Sequence, residues 1–148
     1  MKKKDNFDND IILGEEAEYK LLAIIQKKYP KAYKIEGEFK AYDIYIPEID
    51  KRIEVKRDIG SKDTPNYFIE YECNYKSSGL HTTEADYWAI YDEHKFDFIN
   101  VSKLRTIAVH YGSKWEGTPV GGASNVKAYL VDKSIIKLCE EKDDPVYK

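Results

Sequence analysis

The chain has 148 residues, a formal net charge of −3, 42% hydrophobic and 14% aromatic residues, enough length and apolar content for one real core. A single domain over 1–148 is therefore expected. No apolar run is long enough to cross a bilayer, Met1-Lys2-Lys3-Lys4 leads into Asp-rich sequence, and the two cysteines, Cys73 and Cys139, stand far apart. A membrane protein, a secreted disulfide scaffold and a zinc site are thus disfavoured, and a cytoplasmic protein with free thiols is expected.

The first element is a helix over 14–29, from Gly14 through Leu21-Leu22-Ala23-Ile24-Ile25, with acids in its first turn and Lys27-Lys28 near its end, as the helix dipole favours. Glu18, Leu22 and Ile25 fall at i, i+4 and i+7, so Glu18 shares the face that packs on the rest of the protein. A carboxylate there needs a partner.

Two short runs follow, Tyr42-Asp43-Ile44-Tyr45-Ile46 and Arg52-Ile53-Glu54-Val55-Lys56, within strands expected near 35–46 and 52–57. β-Branched and aromatic residues alternate with polar ones, and Pro47, Asp50 and Lys51 supply a turn. Residues two apart on a strand share a face, so Glu54 and Lys56 project together while Ile53 and Val55 point away. In a hairpin, Asp43 lies opposite or diagonal to Glu54, and two carboxylates converge with one ammonium nearby. Mg²⁺ takes carboxylate and water oxygens and leaves room for phosphate. A neighbouring lysine can orient the attacking water and offset charge in the transition state. The combination meets the demands of phosphodiester hydrolysis.

Asn66 to Cys73 alternates again and reads as a strand near 66–74, with Phe68, Glu70 and Glu72 on one face and Glu70 a further candidate acid. Lys76, Ser77, Ser78, Thr82 and Thr83 belong to a hydroxyl-rich loop whose side chains and amides suit phosphate contacts, with Arg57 beside them; Thr83 is expected to cap a helical turn through Ala85-Asp86. His81 reads as a surface or phosphate-contacting residue, since no second His or Cys stands at ligand spacing. Strands at 87–92 and Phe96–Ile99, a helix over 101–110 with Val101, Leu104 and Ala108 inward, a long loop from Gly112 to Asn125, and a strand near 126–131 complete the chain. The Gly121-Gly122 pair reads as a plain turn.

Asp43, ten residues, then Glu54-Val55-Lys56 resembles the core of the PD-(D/E)XK nuclease superfamily, with Tyr42 where the family often has Pro. Gly14-x-x-x-Glu18 ahead of it is similar to the opening of archaeal-type Holliday junction resolvases and related phage nucleases, and Ser77 to Trp88 is similar to a segment of small phage-type members. The resemblance implies an α/β, restriction-endonuclease-like fold, with a central mixed β-sheet flanked by helices. It further implies a DNA endonuclease using Mg²⁺ or Mn²⁺ held by Asp43, Glu54, the Val55 carbonyl and Glu18, with Glu15 in reserve for Glu18 and Lys56 at the attacking water. DNA is the expected partner, and a homodimer is expected because two cuts need two symmetric sites.

The negative charge opposes a DNA-binding role, since such proteins are usually basic. Distribution answers part of this. Acids gather at the site and in Glu140-Glu141-Lys142-Asp143-Asp144, while the lysines at 2–4, Lys27, Lys28, Lys31, Lys34, Lys51, Arg52, Lys56, Arg57 and Lys62 form a basic rim. Two alternatives stay open: a non-catalytic nucleic-acid- or protein-binding module on the same scaffold, and a phage or mobile-element protein that inhibits or modifies a host complex.

Overall fold

The computed structural model describes residues 3–38, 40–58, 62–119 and 122–139. The lysine side chains at 2–4, Gly121 and the acidic run 140–144 fall outside what it describes. A long helix, α1 (Lys3–Gln26), opens the chain and extends well upstream of the expected start at residue 14. Its Ala17, Leu21 and Ile25 recur at every fourth position and are all buried, which gives the helix one apolar stripe.

Strands β1 (Tyr33–Lys34), β2 (Ile44–Ile46) and β3 (Lys51–Arg57) follow. Of the expected strand over 35–46 only Ile44–Ile46 forms; β1 lies just ahead of that range, and the described chain between the two is irregular. A turn of 3-10 helix at Pro47–Ile49 and a left-handed Asp50 (φ 49°) reverse the chain into β3, as the Pro-Asp composition anticipates. β4 (Asn66–Cys73), β5 (Lys76–Ser77), β6 (Tyr87–Tyr91) and β7 (Phe96–Asn100) come next, then α2 (Val101–Tyr111), β8 (Ser113–Gly117), β9 (Val126–Asp132) and α3 (Lys133–Leu138). Asn100 starts α2 by accepting hydrogen bonds from the Ser102 and Lys103 amides, and Asp132 caps α3 through the Ser134 amide.

The architecture is mixed α/β with two sheets. One is five-stranded and mixed, in the order β1-β2-β3-β6-β7, with β3 and β6 parallel and the other neighbours antiparallel. The second is antiparallel, in the order β5-β4-β9-β8. This corrects the expectation that 66–74 and 126–131 join one central sheet: those strands pair with each other, Tyr67 opposite Val131 and Ile69 opposite Tyr129. It also corrects the expected loop over 112–125, since Ser113–Gly117 forms the edge strand β8 against β9. The expected helical turn after Thr83 does not form: the one-turn helix lies earlier, at Gly79–His81, and 83–85 is irregular chain.

Alternation along β3 and β6 assigns each face of the mixed sheet to a different core. Ile44, Ile53, Ala89 and Phe98 pack with Ala17, Leu21 and Ile25 of α1. On the other face, Trp88, Ile90 and Ile99 pack with Tyr67, Ile69, Tyr129 and Val131 of the second sheet, Leu104, Ile107 and Ala108 of α2, and Ile136 of α3. A polar clasp crosses this second core. Asp97 of β7 is fully buried, accepts a short hydrogen bond from the Tyr67 hydroxyl, and lies 2.8 Å from Lys137 Nζ of α3, which also reaches Asp92 at 3.2 Å.

Candidate functional site

β2 and β3 register with Ile44 opposite Ile53 and Tyr45 opposite Arg52, and the Asp43 amide donates to the Ile53 carbonyl at 2.9 Å. Continuing that register brings Asp43 beside Glu54, the pair singled out by spacing. Asp43 is only 4% exposed, and its Oδ2 accepts the Val55 amide at 2.7 Å. Val55 thus enters the site through its N–H, as the anchor that fixes the Asp43 rotamer.

Glu18 reaches the same point from α1. It is 9% exposed, and Lys40 Nζ bridges its Oε1 and Asp43 Oδ1 at 3.1 Å each. The second oxygen, Oε2, is buried and accepts no hydrogen bond, although Lys34 Nζ stands 3.3 Å away. Lys34 therefore turns inward, its side chain 7% exposed, and leaves the expected basic rim. Glu15 is exposed on α1, so the acid directed at Asp43 is Glu18.

Lys56 shares a face with Glu54. Its Nζ is 3.9 Å from Glu54 Oε1 and 5.0 Å from the Trp88 ring centroid, a cation–π contact that limits where the ammonium can swing. The Trp88 Nε1 donates to Thr83 Oγ1 at 3.2 Å, so one indole ties the hydroxyl loop to Lys56 of β3. Trp88 and Lys40 are the residues that sequence reasoning missed. Trp88 was readable as a strand residue but not as a neighbour of Glu54-x-Lys56, which the β3–β6 pairing decides, and Lys40 sits in irregular chain that no periodicity marks.

Burial, and the lysines and acids crowded together here, set the ionisation of the three acids. Burial pushes Glu54 up to about 8; Lys56 opposes this and Asp43 adds to it. Burial also raises Glu18, with the adjacent Asp43 adding and Lys40 opposing. Burial alone would raise Asp43, but the hydrogen bonds it shares with Glu18, the Val55 amide and Lys40 outweigh it and hold Asp43 below the usual carboxylate range. Burial lowers Lys40, yet its two carboxylates outweigh that and raise it overall.

Other expected site residues are placed elsewhere. Glu70 pairs with Ala128, which puts it on the face of the second sheet away from buried Tyr67 and Ile69, and it accepts from Ser78 Oγ at 2.8 Å. A bulge between Glu70 and Glu72 breaks the simple alternation that would put both on one face. Arg57 makes a two-pronged pair with Glu93, 2.8 Å at both contacts. Thr83 is engaged by the Ala85 amide, Trp88 and, through its carbonyl, Arg105. Lys76, Ser77 and Thr82 are exposed. His81 is exposed and packs against the Tyr71 ring at 4.9 Å.

Among the described residues, no three acid, imidazole or thiol groups already stand as a preformed metal site. The acids of the cluster are paired with lysines instead: Glu18 with Lys34 and Lys40, Asp43 with Lys40, and Glu54 with Lys56. Comparison with family models, curated proteins and solved structures gives no match. Among the described residues no helix is long and apolar enough to cross a membrane.

Proposed function

We propose that the chain is a metal-dependent DNA endonuclease on a restriction-endonuclease-like core, of the Holliday junction resolvase or phage nuclease kind. One observation carries the reading. Asp43 is buried and anchored by the Val55 amide beside Glu54, Glu18 reaches the same point from α1, and Lys56 projects from the Glu54 face. The antiparallel β2–β3 pair continued by a parallel β3–β6 pair is consistent with such a core.

The donor set fits a hard divalent cation: oxygen ligands only, with positive charge already drawn to Glu18 and Asp43 by Lys34 and Lys40. Asp43, Glu54, Glu18 and the Val55 carbonyl would hold Mg²⁺ or Mn²⁺. The ion, when bound, supplies a polarised phosphoryl oxygen and a more acidic water. The chain's own contributions are positional. Val55 N–H and the β2–β3 ladder keep Asp43 from rotating. Trp88 and Glu54 restrain Lys56, whose ammonium orients the attacking water and offsets charge on the phosphoryl oxygens. Lys76, Ser77 and Thr82 remain the exposed candidates for backbone phosphates. Two cuts across a duplex or junction require two sites, so a homodimer is part of the proposal.

The test is cleavage of four-way-junction, duplex and single-stranded DNA with Mg²⁺, Mn²⁺ or EDTA, beside Asp43→Asn, Glu54→Gln and Lys56→Met. Metal-dependent cutting lost in all three variants supports the reading; cutting retained in them overturns it. One observation favours a second reading, a binding module that performs no hydrolysis: Lys40 already partners Glu18 and Asp43. Failure to bind divalent metal at all would select that reading.

A further inference from the structure

Resting on the nuclease reading, we infer that Lys40 is a tethered cation that competes with the divalent metal, so that metal binds Glu18 and Asp43 only by displacing its ammonium. The geometry is specific. Lys40 Nζ is 3.1 Å from Glu18 Oε1 and 3.1 Å from Asp43 Oδ1, between an acid of α1 and an acid immediately ahead of β2. A metal held jointly by Glu18 and Asp43 would sit between the same two carboxylates, and two cations cannot share that place.

The arrangement points to a gate and not merely to a structural ion pair, for three reasons. Lys40 comes from chain that is neither helix nor strand, so its side chain can leave without breaking a ladder, whereas Asp43 is pinned by the Val55 amide. Its side chain is 22% exposed, against 5% for Asp43 and 11% for Glu18, so it closes the cluster from the solvent side. Lys40 holds only one of the two Glu18 oxygens, Oε1, while Oε2 is buried without a hydrogen bond and faces the Lys34 ammonium at 3.3 Å. Hydrogen bonds from a point charge on a flexible stem are readily exchanged for a dication's direct coordination.

Competition is reciprocal: whatever Lys40 gains from the acids, the metal must overcome. Removing the charge should therefore tighten metal binding, the opposite of what deleting a supporting residue does. The experiment is Mn²⁺ titration of the full chain without DNA, followed by electron paramagnetic resonance, for wild type, Lys40→Gln, Lys40→Arg and Asp43→Asn. Lys40→Gln is expected to bind about tenfold more tightly, Lys40→Arg close to wild type, and Asp43→Asn to lose the site. A second measurement uses wild type alone, so no variant needs to fold: the rate of reductive methylation of the Lys40 amine, read by mass spectrometry, should rise severalfold when Mg²⁺ is added. Unchanged or weaker Mn²⁺ binding by folded Lys40→Gln, or a Lys40 methylation rate indifferent to Mg²⁺, overturns the inference while leaving Asp43-dependent metal binding intact. Absence of Mn²⁺ binding by both wild type and Lys40→Gln overturns the nuclease reading, and the inference with it.

Discussion

Glu54→Gln should make the metal-free protein more stable at mildly alkaline pH while removing a proposed metal ligand. Glu54 ionises near 4.5 in an ordinary setting and near 8 here, because burial disfavours its charged form. The sign follows from linkage. Between those values the folded state binds the extra proton, so this group's contribution is fully present below about 4.5 and is lost as pH rises through about 8. The separation, at about 1.36 kcal/mol per pH unit, sets a ceiling near 5 kcal/mol. The side chain is 21% exposed and Lys56 lies 3.9 Å away, so screening brings the expected difference at pH 8.5 to about 2–3 kcal/mol. Glutamine is neutral in both states and escapes the penalty. Urea denaturation in EDTA at several pH values from 4.5 to 9 measures this, and thermal melting should show about 5–10 °C in favour of the variant at pH 8.5. Glu18, also raised, leaves a residual slope of the same sign in the variant. Asp43, held low, acts with the opposite sign and only in the acid range below its ordinary 3.8. Stability curves for wild type and Glu54→Gln that run parallel across this range would refute the reasoning.

Asp97→Asn should cost about 2–4 kcal/mol, because Lys137 and Tyr67 lose their shared buried carboxylate; Tyr67→Phe, which removes one hydrogen bond and keeps the ring, should cost about 1–2 kcal/mol. Equal small losses in urea denaturation would show that the clasp contributes little. Gly79→Ala should destabilise by more than about 2 kcal/mol, since φ is +48° and a Cβ would lie 2.2 Å from the Glu70 carbonyl oxygen. A neutral substitution there, read by thermal melting, would mean the Gly79–His81 turn shifts freely against β4.

Much of the local structure was readable in the chain because strand alternation and helical spacing are local signals. β3, β6, β9 and α2 begin and end within a residue or two of expectation, and the turn after β2 follows from Pro47 and Asp50. The proximity of Asp43 and Glu54 was readable for the same reason, because a hairpin with that loop length brings them together. Partner choice was not. Period-2 alternation states which face of a strand is buried but not which strand lies beside it, so one sheet was expected where β4 and β9 build a second. The polar edge strands β5 and β8 carry no apolar alternation at all. Glu70 turns outward because of pairing with β9 and a bulge, neither of which leaves a trace in Asn66–Cys73 read alone. The buried ion pairs join residues far apart in the chain, Glu18 with Lys34 and Lys40, and Asp97 with Lys137. Sequence by itself determined the elements and the spacing of the two strand acids, since those depend on neighbours along the chain. Only the tertiary structure decided that Lys40 stands between Glu18 and Asp43, because that depends on how α1 packs across the sheet.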